Sequence, residues 1–467
     1  MNVKNGNYRQ ALNQVNRRQL MKYSAAAAGL AAAGTAGATG LKQAMAQDTI
    51  DISFMTPGGA VEFCSGFDLI AAEYEALHPG INIEETICGV GEQSFTEFLL
   101  ARIAAGDPPD ASIFWNTPVT FAARDALEPL DDLMAASVNS QVENWPAGLL
   151  SSCQWQGQTY GLPIAAGTYA MVYNEELFEA RGLPSARADF PKTWDEFRRF
   201  SKEITVWEGD TLTQAGMIPP QVTEELAIWA ELFGGQLFDA ENMKYQIDSE
   251  PIVEFYNRCI EWLDDEYKGD ILQVNESGNW TENPDANSRP PMLQAGKLGM
   301  QSNGFWITGQ IYLQEMSFER WNVASYPVGV EGATTKSGYW PNWVVIPKGS
   351  KHPAETFGYL DYIGVEGMAK WFEAVPDLPV NAKVPPLTPK ALADARGKEV
   401  ADEIYAFFKG QLDVAVSMWN SPVQDFSNDQ IRRAIEQIYA KQASPADALK
   451  EAQSASQAEL DRLLASL

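Results

Sequence analysis

The chain has 467 residues, more than one small hydrophobic core serves, so two domains are expected. With 45% hydrophobic and 21% charged residues its composition is that of an ordinary globular protein. A net charge of −28 repels nucleic acid and anionic membrane surfaces and excludes both as partners.

The first 46 residues carry Lys4, Arg9, Arg17, Arg18, Lys22 and Lys42 but no acid. The stretch "NRRQLMKYSAAAAGLAAAGTAGATGLKQAMAQ" has a basic head, a weakly apolar Ala/Gly run and a small-x-small site ending at Ala46. That is the layout of a secretory signal over residues 1–46, and Arg17-Arg18 followed by Gln19 to Lys22 resembles the twin-arginine export signal. Its removal would take the net charge from −28 to −34. No cysteine lies near the cleavage site, so a free periplasmic protein is expected, with neither a lipid anchor nor a membrane span.

The mature chain opens with "IDISFM" (50–55), which alternates like a strand. Breakers follow, then apolar residues at helical spacing from Phe67 to Leu77. "INIEETI" (81–87) is a second strand, and Ser94 with Glu97 forms a capping box for a helix that ends at Gly106. "ASIFW" (111–115) is a third strand. Strand, helix, strand, helix, strand implies parallel pairing through right-handed crossovers.

After "YGLP" (160–163) a strand is expected over 169–173, then a short helix from Asn174. Thr193 and Glu196 cap a further helix. Helical spacing continues over 223–234, 250–267, 353–363, 366–373 and 428–440, and a last helix runs from Ser444 and Pro445 to Leu464. "NESGNWTENPDANSRPP" (275–291) is a long polar loop, of the length that often carries function.

Few residues offer catalytic chemistry. "CGVGEQS" (88–94) lacks the third glycine of a dinucleotide fingerprint, so a nucleotide is rejected. What survives is a helix start where small residues admit a ligand and Gln93 can donate hydrogen bonds. There is no GxSxG elbow, and only His78 and His352 are available for a relay. No Cys/His zinc pattern is present. The four cysteines are Cys64, Cys88, Cys153 and Cys259; either Cys64 and Cys88 form a disulfide or all four are buried thiols. No enzyme, cofactor or metal is expected.

The order of "LLARIAAGDPPDASIFW", "ALEPLDDLM", "GQTYGLP", "MVYNEELFEARGL", "PKTWDEFRRF", "LQAGKLGMQSNGFW", "YWPNWVVIPKGSKHPAETFGYLDYIG" and "SPADALKEAQ" resembles the family 1 extracellular solute-binding proteins. These are the carbohydrate-capturing components of ABC importers, and the layout is similar to that of maltodextrin-binding proteins. The resemblance implies an α/β, two-lobed periplasmic binding protein of type II. Each lobe would be a mixed, mostly parallel sheet flanked by helices, with the ligand cleft between lobes. Three crossings would fall near 162–168, 338–343 and 374–381. Lobe 1 would then be 48–164 plus 340–376, and lobe 2 165–339 plus 377–467. The implied partners are a sugar and the permease subunits of an importer, with the protein itself a monomer.

Strand ends in such sheets face the crevice, which points to Trp115, with packing on its own lobe as the competing role. An indole offers a flat apolar surface to the C–H face of a pyranose. The resemblance adds Trp306 in "NGFW", Trp340 and Trp343 on the second crossing, Trp419 in "SMWN", and Tyr169. Asn116, Gln93, Glu62 and Asn303 lie at the expected mouths and could pair with hydroxyls. A polyamine binder and a secreted carbohydrate-active enzyme are the alternatives.

Overall fold

The computed structural model describes residues 49–56, 61–87, 92–281, 289–313, 316–374, 377–416 and 420–467. The expected signal segment, Cys88 and Trp419 lie outside them. A nine-stranded sheet organises the rest. Its strands are β1 (Ile50–Met55), β2 (Ile81–Ile87), β3 (Ala111–Phe114), β4 (Leu162–Asn174), β5 (Met300–Gly304), β6 (Trp321–Ala324), β7 (Ser337–Val345), β8 (Leu378–Pro379) and β9 (Ala415–Val416). The main path runs β5-β4-β7-β3-β1-β2, with β6 and β8 also paired to β4 and β9 to β7.

The N-terminal part follows the sequence pattern closely. β1 pairs parallel with both β2 and β3. Helices α1 (Val61–Leu77) and α2 (Glu92–Ala104) make the two crossovers. One detail differs: α2 starts at Glu92, so Ser94 lies inside the helix rather than at its cap. Beyond β3 the pairing is largely antiparallel: β7 runs against β3 and β4, and β5, β6 and β8 run against β4. β5, β6, β7 and β8 thus all point one way, against β4, and the segments between them return the chain.

β4 is that long strand. Its 13 residues, "LPIAAGTYAMVYN", are buried almost throughout, as expected of a strand covered on both faces. Its first half pairs with β7 and β8, its second with β5 and β6. Two separate hydrophobic cores meet along it. One gathers Phe54, Ile113, Leu162, Ile164, Ala166, Trp343 and Trp371. The other gathers Ala170, Val172, Trp194, Trp229, Trp262, Phe305 and Trp321. β4 passes from the first to the second between Ala166 and Ala170, and the chain at β8 changes core between Leu378 and Val380. The fold is therefore two-lobed and α/β.

Caps hold the helices of the second core where the sequence places them. In α3 (Trp194–Ile204), Thr193 and Glu196 exchange the two hydrogen bonds of a capping box. Asn174 accepts from the backbone N–H groups of Glu176 and Leu177. Ser444 caps the last helix, with Pro445 at its first position. α4 (Glu250–Glu266) buries Ile252, Phe255, Cys259, Trp262 and Leu263 along one side. The strand β6 and the helix Lys398–Gln411 have no counterpart among the sequence expectations. Away from β4 the two halves touch again: the Arg124 guanidinium donates to the Pro422 carbonyl at 2.9 Å.

Candidate ligand site at the crossing strands

Register places the key side chains. Trp340 of β7 stands opposite Gly167 of β4, and Leu378 of β8 stands opposite Ala166. Directly opposed residues share a face, so Gly167 and Trp340 project to one side of the sheet. Asp377, one residue before β8, belongs to the same row: a Cβ added to Gly167 would lie 3.1 Å from its Oδ1. With glycine in the middle the row has a gap, and the Trp306 indole fills it. An added Cβ would stand 2.1 Å from Trp306 Cζ3 at Gly167 and 2.2 Å from it at Gly304. Two glycines from two strands thus form a seat on which the indole lies against bare backbone. Tyr169, also on this face, meets Trp306 edge-on with ring centroids 5.3 Å apart.

Trp306, Trp340 and Tyr169 are each half-buried, so aromatic surface remains in reach of a ligand. Asp377 is fully enclosed, with 5% of its surface exposed. Its Oδ2 accepts from Asn342 Nδ2 at 2.7 Å, across the small side chain of Ala165, while Oδ1 has no hydrogen-bond partner. Burial pushes its carboxyl up to about 7, against the opposing effect of the Asn342 bond.

Tyr169 also borders a cavity of about 370 Å³ that runs into the second lobe, a volume in the range of small-molecule sites. Pro219, Pro220 and Val222 form an apolar wall. Glu225, Asn279, Trp280, Gln301 and Ser302 supply polar and aromatic lining. Gln301 donates to the Trp280 carbonyl at 3.3 Å, leaving its Oε1 buried and unpartnered. Asn279 and Trp280 come from the polar stretch 275–291, whose length alone marked it in the sequence. Glu225, Gln301, Gly167 and Asp377 carried no such mark, because each is informative only through its cross-strand neighbours.

The sequence-derived candidates separate into groups. Trp306, Trp340 and Tyr169 come together at the crossing strands. Trp115 and Asn116 follow β3 and are half-buried, and Trp115 also packs on the first core. Because β3 runs against β7 with Phe114 opposite Trp343, the chain beyond Phe114 heads toward the β7 residues that lead into the crossing.

Two candidates are corrected. Trp343 is 1% exposed and donates through Nε1 to Ser152 Oγ at 2.8 Å, inside the first core. Asn303 is 1% exposed and opposes Ala170, one residue out of phase with Tyr169 and Gly304, so it faces away from Trp306. Its Oδ1 accepts from the Gly304 backbone.

Glu62 and Gln93 fall in the first turns of α1 and α2, and their side chains, like that of Cys64, lie outside the described set, as does the whole of Trp419. The suggested Cys64–Cys88 pair is therefore outside it too. Cys153 and Cys259 are buried free thiols. Among the described residues no cluster of three or more His, Cys, Asp or Glu side chains could hold a metal ion, and no helix is long and apolar enough to cross a membrane.

Comparison with known proteins gives a consistent result. The model of the bacterial extracellular solute-binding protein family matches residues 64–370. A Brucella abortus chain named as a binding protein is 26% identical over 321 residues, 68% of this chain and 72% of that one. The maltotriose-binding protein of Pyrococcus abyssi is 23% identical over 59% of this chain and 52% of its own. Among solved structures, a protein with mannotriose bound superposes with a TM-score of 0.72 at 20% identity, covering 87% of this chain and 100% of the other. A maltose/maltodextrin-binding domain from Bdellovibrio bacteriovorus bound to maltotriose gives 0.68 at 14% identity, over 88% and 100%. At these identities the structural likeness establishes the fold.

Proposed function

This chain belongs to the bacterial extracellular solute-binding protein family, and from that premise we propose that it captures a sugar between its lobes and delivers it to an ABC importer. One observation carries the choice of ligand. Trp306 and Trp340, both half-buried, lie on the same face of the crossing strands, with Tyr169 beside them at the mouth of a mainly apolar cavity that carries a few polar groups. Flat apolar rings beside hydrogen-bonding groups suit a polyol, whose rings carry C–H faces and whose rim carries hydroxyls. The relative named for maltotriose and the structures holding mannotriose and maltotriose support the same ligand class.

Lobe 1 is taken as 48–164 plus 340–376 and lobe 2 as 165–339 plus 377–467, joined where β4, β7 and β8 cross, with Ala165, Ala166, Tyr339 and Val380, just beyond those bounds, packed on the first core. Trp115 and Asn116 would face Trp306 and Trp340 from the first lobe. Capture proceeds by hinge closure, whose extent is set by the difference in ligand affinity between closed and open forms. A micromolar affinity corresponds to about 8 kcal/mol, which two or three aromatic stacks and several buried hydrogen bonds supply after ordering costs. The protein returns its sugar intact, acts as a monomer without cofactor or metal, and works in the periplasm after twin-arginine export and removal of residues 1–46.

A thermal-shift screen over mono-, di- and oligosaccharides with polyamines as the comparison set tests the ligand class. A true ligand raises the midpoint by mass action. A shift with polyamines and none with sugars would overturn the sugar assignment, and overnight conversion of an oligosaccharide would overturn the binder.

A further inference from the structure

The buried carboxyl group of Asp377 has no evident structural use that a neutral residue could not fill. It sits where three strands cross, it touches one donor, and its second oxygen is left without a partner. Among the described residues, every element packed around it is uncharged at the point of approach. β4 presents Ala165 and Gly167, β7 presents Trp340 and Asn342, and the turn before the helix Ile307–Leu313 presents Trp306. Lys370 and Glu373, on the helix that packs against β8, point to solvent, as does Lys409 on the helix behind β4. An isolated carboxylate under these conditions gains little from ionising and loses its hydration, so enclosure favours the acid form.

We propose that Asp377 is a proton-linked positioning residue of the hinge: joined to β7 through Asn342 beneath the seat of Trp306, it is held in its neutral form when a ligand covers the indole. Trp306 is the half-exposed side chain nearest this enclosed group, so a sugar stacked on it moves the solvent boundary further from the carboxyl. The carboxyl of the ligand-free protein already stands at about 7 through burial. Further enclosure raises it, so the bound form holds the proton more tightly. Binding therefore takes up a proton. Affinity is full below about pH 7, falls as the pH rises through that region, and levels off above the value of the bound form. This rests on ligand stacking at Trp306, as in the proposed function.

Titration calorimetry with mannotriose and maltotriose, in buffers of differing ionisation enthalpy at pH 7.5, measures the proton count directly on the wild-type chain. Uptake of a fraction of a proton is expected, with affinity falling by about threefold or more between pH 6.5 and 8.5. Asp377→Asn should bind with no such slope. Asn342→Ala removes the one hydrogen bond that favours the charged form and should move the transition to higher pH. No proton uptake, or a slope retained in Asp377→Asn, would overturn the proposal.

A second measurement needs no sugar. Tryptophan fluorescence of the ligand-free protein between pH 5 and 9 should show a transition near 7 that Asp377→Asn lacks. If neither sugar binds but this transition is present, the ligand assignment fails and the hinge titration stands. If the transition is absent, the hinge titration fails whatever binds.

Discussion

Two buried carboxylates in this molecule have opposite surroundings. Glu266, at the end of α4 in the second core, receives four donors. Arg198 at 2.7 Å and Trp262 Nε1 at 2.9 Å reach one oxygen, and Ser201 at 2.7 Å and Thr205 at 2.6 Å reach the other. Its cation is itself stacked on the Trp262 ring at 4.5 Å. Asp377, at the crossing strands, receives one donor and no cation. A fully satisfied network fixes a single packing arrangement, whereas a half-satisfied one is sensitive to what approaches it. The first belongs to the packed second core and the second to the strands that cross between the cores.

Removing the cation from the satisfied site should have the largest effect. Arg198→Ala leaves Glu266 enclosed without a counter-charge and should cost about 3–5 kcal/mol in denaturant unfolding. The surviving folded protein should bind sugar as before. An Arg198→Ala protein as stable as wild type would remove the distinction between the two carboxylates.

Next comes Trp306→Ala, which should weaken sugar binding at least about tenfold, or about 1.4 kcal/mol, with a smaller loss of stability. It also uncovers Asp377, so the pH transition near neutrality should move down toward the ordinary carboxylate range. Trp115→Ala should lose affinity to a similar extent from the other lobe. Wild-type binding by both variants would dismiss the proposed site.

Gly167→Ala tests the seat itself. Its new methyl group would have to displace the Trp306 ring, so affinity should fall by about severalfold. The loss should vanish when measured in a Trp306→Ala background, because the two changes act on one contact. The smallest effect is expected from Trp343→Phe, three residues along the same strand as Trp340. It should cost about 1 kcal/mol through the lost hydrogen bond to Ser152, with no change in affinity.

Much of the fold was legible in the sequence because it rests on local signals. Alternation marked β1 and β2 to the residue, and capping chemistry at Thr193 and Ser444 marked two helix starts. The partners of Trp343 and Asn303 were not legible. Trp340 and Trp343 look equivalent in "YWPNWVV", yet they stand three residues apart on one strand, so alternation turns them to opposite faces and only Trp340 stays at the crossing. Asn303 and Gly304 differ by a single step, and strand alternation sends one of them to each face.

The sequence by itself determined the family, the βαβ start, the helix caps at Thr193 and Ser444 and the placing of aromatics near strand ends, since each depends on residues close together in the chain. Only the tertiary structure decided which indole has a seat and which carboxyl lacks a partner. Gly167, Gly304, Trp306, Trp340, Asn342 and Asp377 come from four separate segments. Antiparallel register alone brings them into one row, and no local pattern encodes that register.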